Sequence, residues 1–165
     1  MPKIYVVGAV GSGKTTFAKK LSKELNIPYY ELDNICWKPN GEGKRNSEEI
    51  DILFLEILKN DNWIIENVGS DFDKGFDEAD TIIYLNISKL IVHLRIIRRW
   101  IKCKLGIAKK PFKSSFEMLK NEIKWSNKEL NSKRKLEKLQ AYKDKLVILN
   151  KKQAKRYKYK FEERS

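Results

Sequence analysis

The sequence predicts an α/β protein whose mostly parallel β-sheet is covered by helices on both faces. Two observations lead to this prediction. Short apolar segments alternate along the chain with segments whose apolar residues recur at helical spacing. The apolar segments are also continuous, without polar residues at every second position, which is typical of strands that are buried on both faces.

Five strands and the helices between them can be placed along the chain. A helix start is marked at Asn46 by Glu49, and at Ser114 by Glu117, because each pair has the spacing of a capping box. Pro39 and glycine residues predict a loop over 33–45, and 67–80 is expected to be a loop with at most one helical turn. The strands are predicted at 3–7, 28–32, 63–65, 81–85 and 146–149, and the helices at 14–26, from Asn46, at 89–104, from Ser114 to about Tyr142 with or without an interruption, and at 151–163.

Length and composition indicate a single soluble domain that spans residues 1–165. The chain has 165 residues, of which 41% are hydrophobic and 35% charged. This composition is not that of a disordered chain. One histidine and two cysteines, Cys36 and Cys103, argue against a transition-metal site made by the protein alone. The sequence has no signal-peptide pattern and no apolar run of about 20 residues, so we expect a cytoplasmic protein with reduced thiols and no membrane partner.

The net charge of +13 is unevenly distributed. Residues 1–88 hold 10 basic and 15 acidic residues and have a net charge of −5, whereas residues 89–165 hold 25 basic and 7 acidic residues and have a net charge of +18. An anionic partner is expected for the second half: nucleotide phosphates, nucleic acid or an acidic surface. The alternative is that these lysines only keep a small protein soluble.

The segment from Gly8 to Thr15, GAVGSGKT, matches the phosphate-binding motif G-x-x-x-x-G-K-[ST] in full and is called the P-loop below. It follows a predicted strand and opens a predicted helix, where backbone N–H groups and the helix N-terminus favour phosphate. Lys14 is expected on the β- and γ-phosphates, and the Thr15 hydroxyl on Mg²⁺. We therefore predict a nucleotide site that includes Gly8, Gly11, Ser12, Gly13, Lys14, Thr15 and Thr16.

Polar residues follow the other strands, and the carboxyl ends of parallel strands share one edge of a sheet. Asp33 after the second strand is expected to accept a proton from an acceptor hydroxyl or to hold Mg²⁺ through water; the alternative is an Asx turn. Glu66 after the third strand is expected to be a second carboxylate of that site, or else a loop residue. Together with the P-loop they should line one crevice.

Basic and aromatic residues in the second half give further candidates. Arg95 and Arg99 share one helix face, and Arg98 lies beside them. The predicted helix then ends at a segment that contains glycine and proline. This arrangement is typical of a kinase lid, which we place over about 95–115. The alternative is a solvated basic face. Trp37 and Trp125 either line an acceptor pocket or anchor the core. The basic tail 151–165 carries Tyr157, Tyr159 and Phe161, which either stack on bases or pack on the sheet.

The chain also resembles a known family. Gly11–Thr16, Ile27–Asp33, Trp37–Asn40, Trp63–Ile65 and the Arg95, Arg98 and Arg99 cluster are similar to DNA topology modulation proteins, which are adenylate-kinase-related P-loop NTPases. The resemblance implies a nucleoside-monophosphate-kinase-like fold with a five-stranded parallel sheet in the order 2-3-1-4-5, a small lid, and ATP with Mg²⁺. It also implies that Arg95 lies against adenine and that Arg98 or Arg99 binds phosphate. Gly41, residues 66–69 and the tail depart from the family pattern.

The sequence thus predicts an ATP-dependent kinase-like enzyme. It would transfer the γ-phosphoryl group to a small hydroxyl or phosphate acceptor, such as a nucleoside or nucleotide, by positioning and charge neutralisation. The predicted catalytic residues are Lys14, Asp33, Glu66, Arg95 and Arg99, and the predicted metal ligands are Thr15 and Asp33. The alternative is a nucleotide-regulated protein that binds DNA without sequence preference through its basic second half, with an affinity that falls steeply as salt rises.

Overall fold

The computed structural model describes residues 2–39, 42–67, 72–107 and 115–160. Five parallel strands form one sheet in the order β2-β3-β1-β4-β5. The predicted fold class and strand order are therefore confirmed. The strands are β1 Lys3–Gly8, β2 Tyr29–Glu31, β3 Trp63–Asn67, β4 Thr81–Leu85 and β5 Leu146–Leu149.

Helices cover both faces of the sheet. Alternate residues of the central strand explain this arrangement, because Ile4 and Val6 point to one apolar cluster and Tyr5 and Val7 to the other. Residues of α1, α5 and α6 belong to the first cluster, and residues of α2, α3, α4 and α7 to the second. The helices are α1 Lys14–Leu25, α2 Leu32–Cys36, α3 Ser47–Leu58, α4 Asp73–Glu78, α5 Lys89–Lys104, α6 Phe116–Leu130, α7 Lys133–Ala141 and α8 Lys151–Arg156, with a 3₁₀ turn at Lys143–Lys145.

The segment predicted as a loop over 33–45 instead contains the short helix α2 and a turn closed by a bridge between Trp37 and Lys44. Asp33 therefore lies in the first turn of α2 and does not end a strand. The reason is a contact from the far end of the same segment: Nη1 of Arg45 donates hydrogen bonds to the carbonyls of Asn34, Ile35 and Trp37 at 3.1, 2.9 and 2.7 Å. These bonds satisfy carbonyl groups at the end of the helix, where intrahelical partners are lacking.

The predicted helix from Ser114 to Tyr142 is divided into α6 and α7. The Ser132 hydroxyl accepts a hydrogen bond from the Lys135 N–H and so caps the start of α7. Ser115 caps α6 in the same way, while Ser114 lies outside the described residues. The capping box of Asn46 and Glu49 is confirmed at the start of α3.

The basic tail is docked on the sheet as far as Lys160. Helix α8 ends at Arg156, earlier than the predicted end at 163. The Tyr157 ring packs 5.8 Å from the Phe17 ring, and the Tyr159 and Thr81 hydroxyls are 3.2 Å apart. Both tyrosines thus pack against the core, Tyr157 on helix α1 and Tyr159 on strand β4, as in the second of the two alternatives, and Phe161 lies outside the described residues.

Strand register brings the polar ends of the strands together at one edge. Glu66 of β3 is paired with Val6 of β1 on one side and with Glu31 of β2 on the other. Gly8, the first residue of the P-loop, is paired with Leu85 of β4. Among the helices that the structure describes, none is long and apolar enough to cross a bilayer.

Candidate nucleotide and phosphoryl-transfer site

A cleft of about 1930 Å³ opens at the carboxyl edge of the sheet. Its walls come from the P-loop, the segment after β2, and helices α5, α6 and α8. Ten residues that the sequence singled out line it, so the predicted convergence on one crevice is observed. They are Gly11, Ser12, Gly13, Lys14, Thr15, Thr16, Asp33, Glu66, Arg95 and Arg99.

The P-loop glycines are required by backbone conformation and by close packing. Gly11 and Gly13 have φ values of 81° and 92°, in the left-handed region that favours glycine. A Cβ on Gly11 would lie 2.8 Å from Cγ1 of Ile96, and a Cβ on Gly8 would lie 2.6 Å from Oγ of Ser12. The loop therefore turns tightly against α5 before α1 begins at Lys14.

Lys14 is a buried cation within the P-loop. Its side chain is almost fully enclosed, with a residue exposure of 6%, and its Nζ donates a hydrogen bond to the Ala9 carbonyl at 3.1 Å. Burial lowers the pKa of Lys14 to about 8, although the nearby Glu66 carboxylate acts in the opposite direction. An ammonium group that burial has stripped of water is strongly stabilised by an anionic ligand, such as a phosphate.

We expect nucleotide affinity to fall as the pH rises above about 8. The pKa of Lys14 without nucleotide lies below its ordinary value of 10.5, so above pH 8 the lysine is mostly neutral and must take up a proton to bind a phosphate. Nucleotide affinity should fall by close to tenfold per pH unit over the range in which binding requires Lys14 to take up a proton. Calorimetric titration with ATP in buffers of different ionisation enthalpy measures the uptake directly. Lys14→Met should abolish it, and equal uptake in that variant would contradict this assignment.

Glu66 lies next to Thr15, whose hydroxyl donates a hydrogen bond to Glu66 Oε1 at 3.2 Å. Glu66 is 5% exposed, and its Oε2 atom has no hydrogen-bond partner among the described residues. Burial raises the pKa of the carboxyl group, the Lys14 charge and the Thr15 hydrogen bond lower it, and the charges of Glu31 and Asp33 raise it further. An unsatisfied buried oxygen next to the P-loop hydroxyl fits a role toward a cation or an acceptor hydroxyl.

Asp33 lies on the same side of the cleft but is exposed, in α2. The structure thus brings Glu66, and not Asp33, into contact with Thr15. Within the described ranges, no group of three histidine, cysteine, aspartate or glutamate residues forms a metal site by itself. Mg²⁺ fits this donor set only when nucleotide phosphates supply further oxygen ligands, together with Thr15 and a carboxylate.

Of the three arginines predicted for the nucleotide, the structure brings two to the cleft. Nη1 of Arg95 donates a hydrogen bond to the Ser12 carbonyl and lies 3.1 Å from the position of a Cβ on Gly13. Nη2 of Arg99 forms an ion pair with Oε2 of Glu122 at 3.0 Å. Arg98 is exposed and does not line the cleft, because one residue advances the helix by about 100° and so turns it away from Arg99.

Helix α6 contributes a cleft face that the sequence reasoning largely missed. Its residues recur at helical spacing, but the face mixes acidic, aromatic and thioether side chains and so shows no simple apolar pattern. Glu129 at its end binds the buried Lys135 of α7, with Oε2 and Nζ 2.9 Å apart. Trp125 was foreseen as an alternative, whereas the other members were not. The face consists of Met118, Glu122, Trp125, the basic Lys128 and Glu129.

Further residues line the cleft from β2, from the segment after α2 and from α8. Glu31, the last residue of β2, forms an ion pair with Lys19 at 3.1 Å and was not foreseen, although its place at a strand end was a signal. Trp37 lines the cleft and is 45% exposed, so it is not a core residue. Lys151 and Lys155 of α8 also line it, which places part of the basic tail at the nucleotide cleft.

Comparison with known proteins gives the family. No protein-family model matches the chain. The chain is 31% identical over 110 residues to a shikimate kinase from Bacillus anthracis, covering 58% of this chain and 67% of that protein. The chain belongs to the P-loop kinases related to shikimate kinase. A shikimate kinase from a Sulfurihydrogenibium species is 23% identical over 150 residues, covering 82% of this chain and 90% of that protein.

Solved structures agree on the fold. A shikimate kinase from Bacteroides thetaiotaomicron has a TM-score of 0.56 at 21% identity, covering 89% of this chain and 85% of that one. A gluconokinase from Sinorhizobium meliloti has a TM-score of 0.54 at 13% identity, covering 90% of this chain and 82% of that one. The comparisons support a phosphotransferase of the P-loop kinase class. They do not support the resemblance to DNA topology modulation proteins or the predicted DNA binding.

Proposed function

We propose that this P-loop kinase transfers the γ-phosphoryl group of ATP to a hydroxyl group of a small acceptor. The observation that carries the proposal is the meeting of Lys14, Thr15 and Glu66 within one cleft at the carboxyl edge of the sheet. This arrangement holds a buried cation, a hydroxyl and an unsatisfied carboxylate around one point. Phosphoryl transfer needs these groups, because its catalysis rests on positioning and charge neutralisation.

The nucleotide half of the cleft is formed by the P-loop and α5. The P-loop and Lys14 bind the phosphates, while Arg95 and Arg99 approach from α5. Arginine suits this position because its planar cation both stacks on a base and forks onto phosphate oxygens. When bound, ATP supplies the phosphoryl group, and its Mg²⁺ neutralises phosphate charge, with Thr15 and either Glu66 or Asp33 as the residues of this chain that would hold the ion.

The acceptor half is formed by α2 and the end of β3. Glu66 and Asp33 are the two candidates for accepting the proton of the attacking hydroxyl. The raised pKa of Glu66 favours it as the base, since a carboxylate with a higher pKa takes a proton more readily. The half-exposed Trp37 ring offers an apolar surface on which an acceptor would pack.

The acceptor classes that we propose are hydroxy acids, nucleosides and nucleotides. The names of the related proteins, shikimate kinase and gluconokinase, support a hydroxy acid. The basic lining supports any acceptor that carries an anionic group. No contact in the described residues favours the alternative of a DNA-binding switch, because Tyr157 and Tyr159 pack against the core and are not placed to stack on bases.

The proposal is tested by following ADP production by the purified protein with ATP and Mg²⁺. The acceptor panel contains shikimate, gluconate, nucleosides and nucleotides, each with and without duplex DNA. We expect one acceptor to raise ADP production well above the rate with ATP alone, and DNA to have no effect. Stimulation by DNA without any small acceptor would overturn the proposal in favour of the switch.

A further inference from the structure

Helix α5 is apolar on two opposite faces, and the described residues cover only one of them. Val92 and Ile96 are fully buried in the core. On the other side, large aliphatic residues recur at intervals of four, three, four and four residues, and so they form one line along the helix. We call them the outer stripe: Leu90, Leu94, Ile97, Ile101 and Leu105, with exposures of 70%, 57%, 37%, 45% and 67%.

Basic side chains border the outer stripe. Arg98 and Lys102 lie along one edge and Lys104 along the other, and all three are exposed. Helix α5 contains no aspartate or glutamate. An aliphatic line bordered by lysine and arginine is the pattern of helices that lie in the interface of a membrane.

The nucleotide site makes no use of this face. Arg95 and Arg99 turn toward the P-loop and Glu122, on another side of the helix. A contiguous apolar patch with a charged rim, left exposed on a small soluble domain, marks a surface that binds something. The outer stripe therefore needs a partner that is both apolar and anionic.

We propose that the outer stripe binds the surface of an anionic phospholipid bilayer, with α5 lying parallel to the membrane plane. The aliphatic side chains would enter the boundary between headgroups and acyl chains. The lysine and arginine stems would extend along that boundary and place their charges among the headgroup phosphates. This mode of binding needs no membrane-spanning segment, and it replaces the expectation from the sequence that the protein has no membrane partner.

The charge distribution argues against a second copy of the chain as the occupant. Pairing two α5 helices would bring together two halves that each carry a net charge of +18. The outer face of α3, where Ile52 and Leu55 are exposed among acidic residues, has the complementary charge. However, α3 and α5 pack on opposite faces of the sheet, so pairing them between copies would be a head-to-tail contact that leads to a ring or a filament, whereas twofold dimers are by far the commonest oligomers.

The test measures co-sedimentation of the full chain with vesicles at low and high salt. We expect binding to vesicles of phosphatidylcholine mixed with phosphatidylglycerol, and at least about tenfold weaker binding to phosphatidylcholine alone. Replacing Leu94 and Ile101 by glutamine should remove most of the binding, and the exposed charge variant Arg98→Glu with Lys102→Glu should do the same. The matched control is Ile52→Gln with Leu55→Gln, which removes exposed aliphatics from the acidic helix α3 and should leave binding unchanged.

Three results would overturn the proposal. One is the absence of binding to the mixed vesicles at low salt, and another is equal binding by the wild type and the two α5 variants. The third is self-association without lipid that the α5 variants abolish, measured by light scattering, since it would assign the stripe to a second copy. Unchanged ATP affinity in the Leu94→Gln with Ile101→Gln variant, whose two substitutions lie outside the cleft lining, shows that the domain is intact.

Discussion

Replacing Lys14 by methionine should lower phosphoryl-transfer turnover by about 1,000-fold. The reason is the loss of the cation that the P-loop encloses next to the Thr15 and Glu66 pair. Methionine keeps most of the volume of the lysine side chain, so the loop should keep its shape. The measurement is the rate of ADP formation with the acceptor found in the panel, together with ATP affinity from calorimetry, which should fall in parallel.

The matched control is Lys23→Met, which removes an exposed lysine from the last turn of the same helix. Its turnover should equal that of the wild type. If Lys14→Met matched the wild type in both ATP affinity and turnover, the P-loop would not be the nucleotide site. Retained binding with lost turnover would instead assign Lys14 mainly to the transferred phosphoryl group.

Glu66→Gln should reduce turnover by about 100-fold or more, with a much smaller effect on ATP affinity. Glutamine keeps the size of the side chain and removes the charge and the basic oxygen beside Thr15. Asp33→Asn should also lower turnover more than affinity, because Asp33 faces the acceptor half of the cleft. The pair is compared by measuring kcat, KM for the acceptor and the Mg²⁺ dependence of each variant.

The comparison separates the two carboxylates. A larger loss of kcat in Glu66→Gln at saturating Mg²⁺ would assign the base to Glu66, and a loss that added Mg²⁺ reverses would assign a metal role. Asp61→Asn serves as the control, since Asp61 is exposed and precedes β3. If neither cleft variant differed from that control, phosphoryl transfer at this edge of the sheet would be wrong.

The fold was predictable because its signals are local. Continuous apolar segments such as Ile4–Val7 mark strands buried on both faces, and the P-loop motif fixes one strand-to-helix junction. The strand order came from the family resemblance and not from the residues alone. The missed helix α2 depends on hydrogen bonds from Arg45, which no pattern within the α2 residues reveals. An interruption of the helix after Ser114 was one of the two alternatives, and the Ser132 cap places it between α6 and α7.

The candidate site was predictable where a motif, a strand end or an arginine cluster marks its residues, and largely not on helix α6. The P-loop motif predicted Lys14 and Thr15, and Asp33 and Glu66 were predicted because parallel strands deliver their carboxyl ends to one edge. Glu122 and Glu129 were missed, since an acidic residue on a helix ordinarily indicates a solvated face. Only the packing of α6 against α5 turns that face toward the cleft.

Glu122 and Glu129, two of the acidic residues of α6, give the nucleotide-free protein a substitute for phosphate charge. Glu122 holds Arg99 and Glu129 holds Lys135, so two cations near the P-loop are already neutralised before a ligand arrives. In the proposed reaction, an incoming nucleotide that recruits either cation must first break its ion pair, which lowers the net gain on binding. The same pairs would re-form as the spent nucleotide departs. The helix would thereby limit how tightly product is retained, and a kinase whose cycle ends with product release gains speed from such a limit.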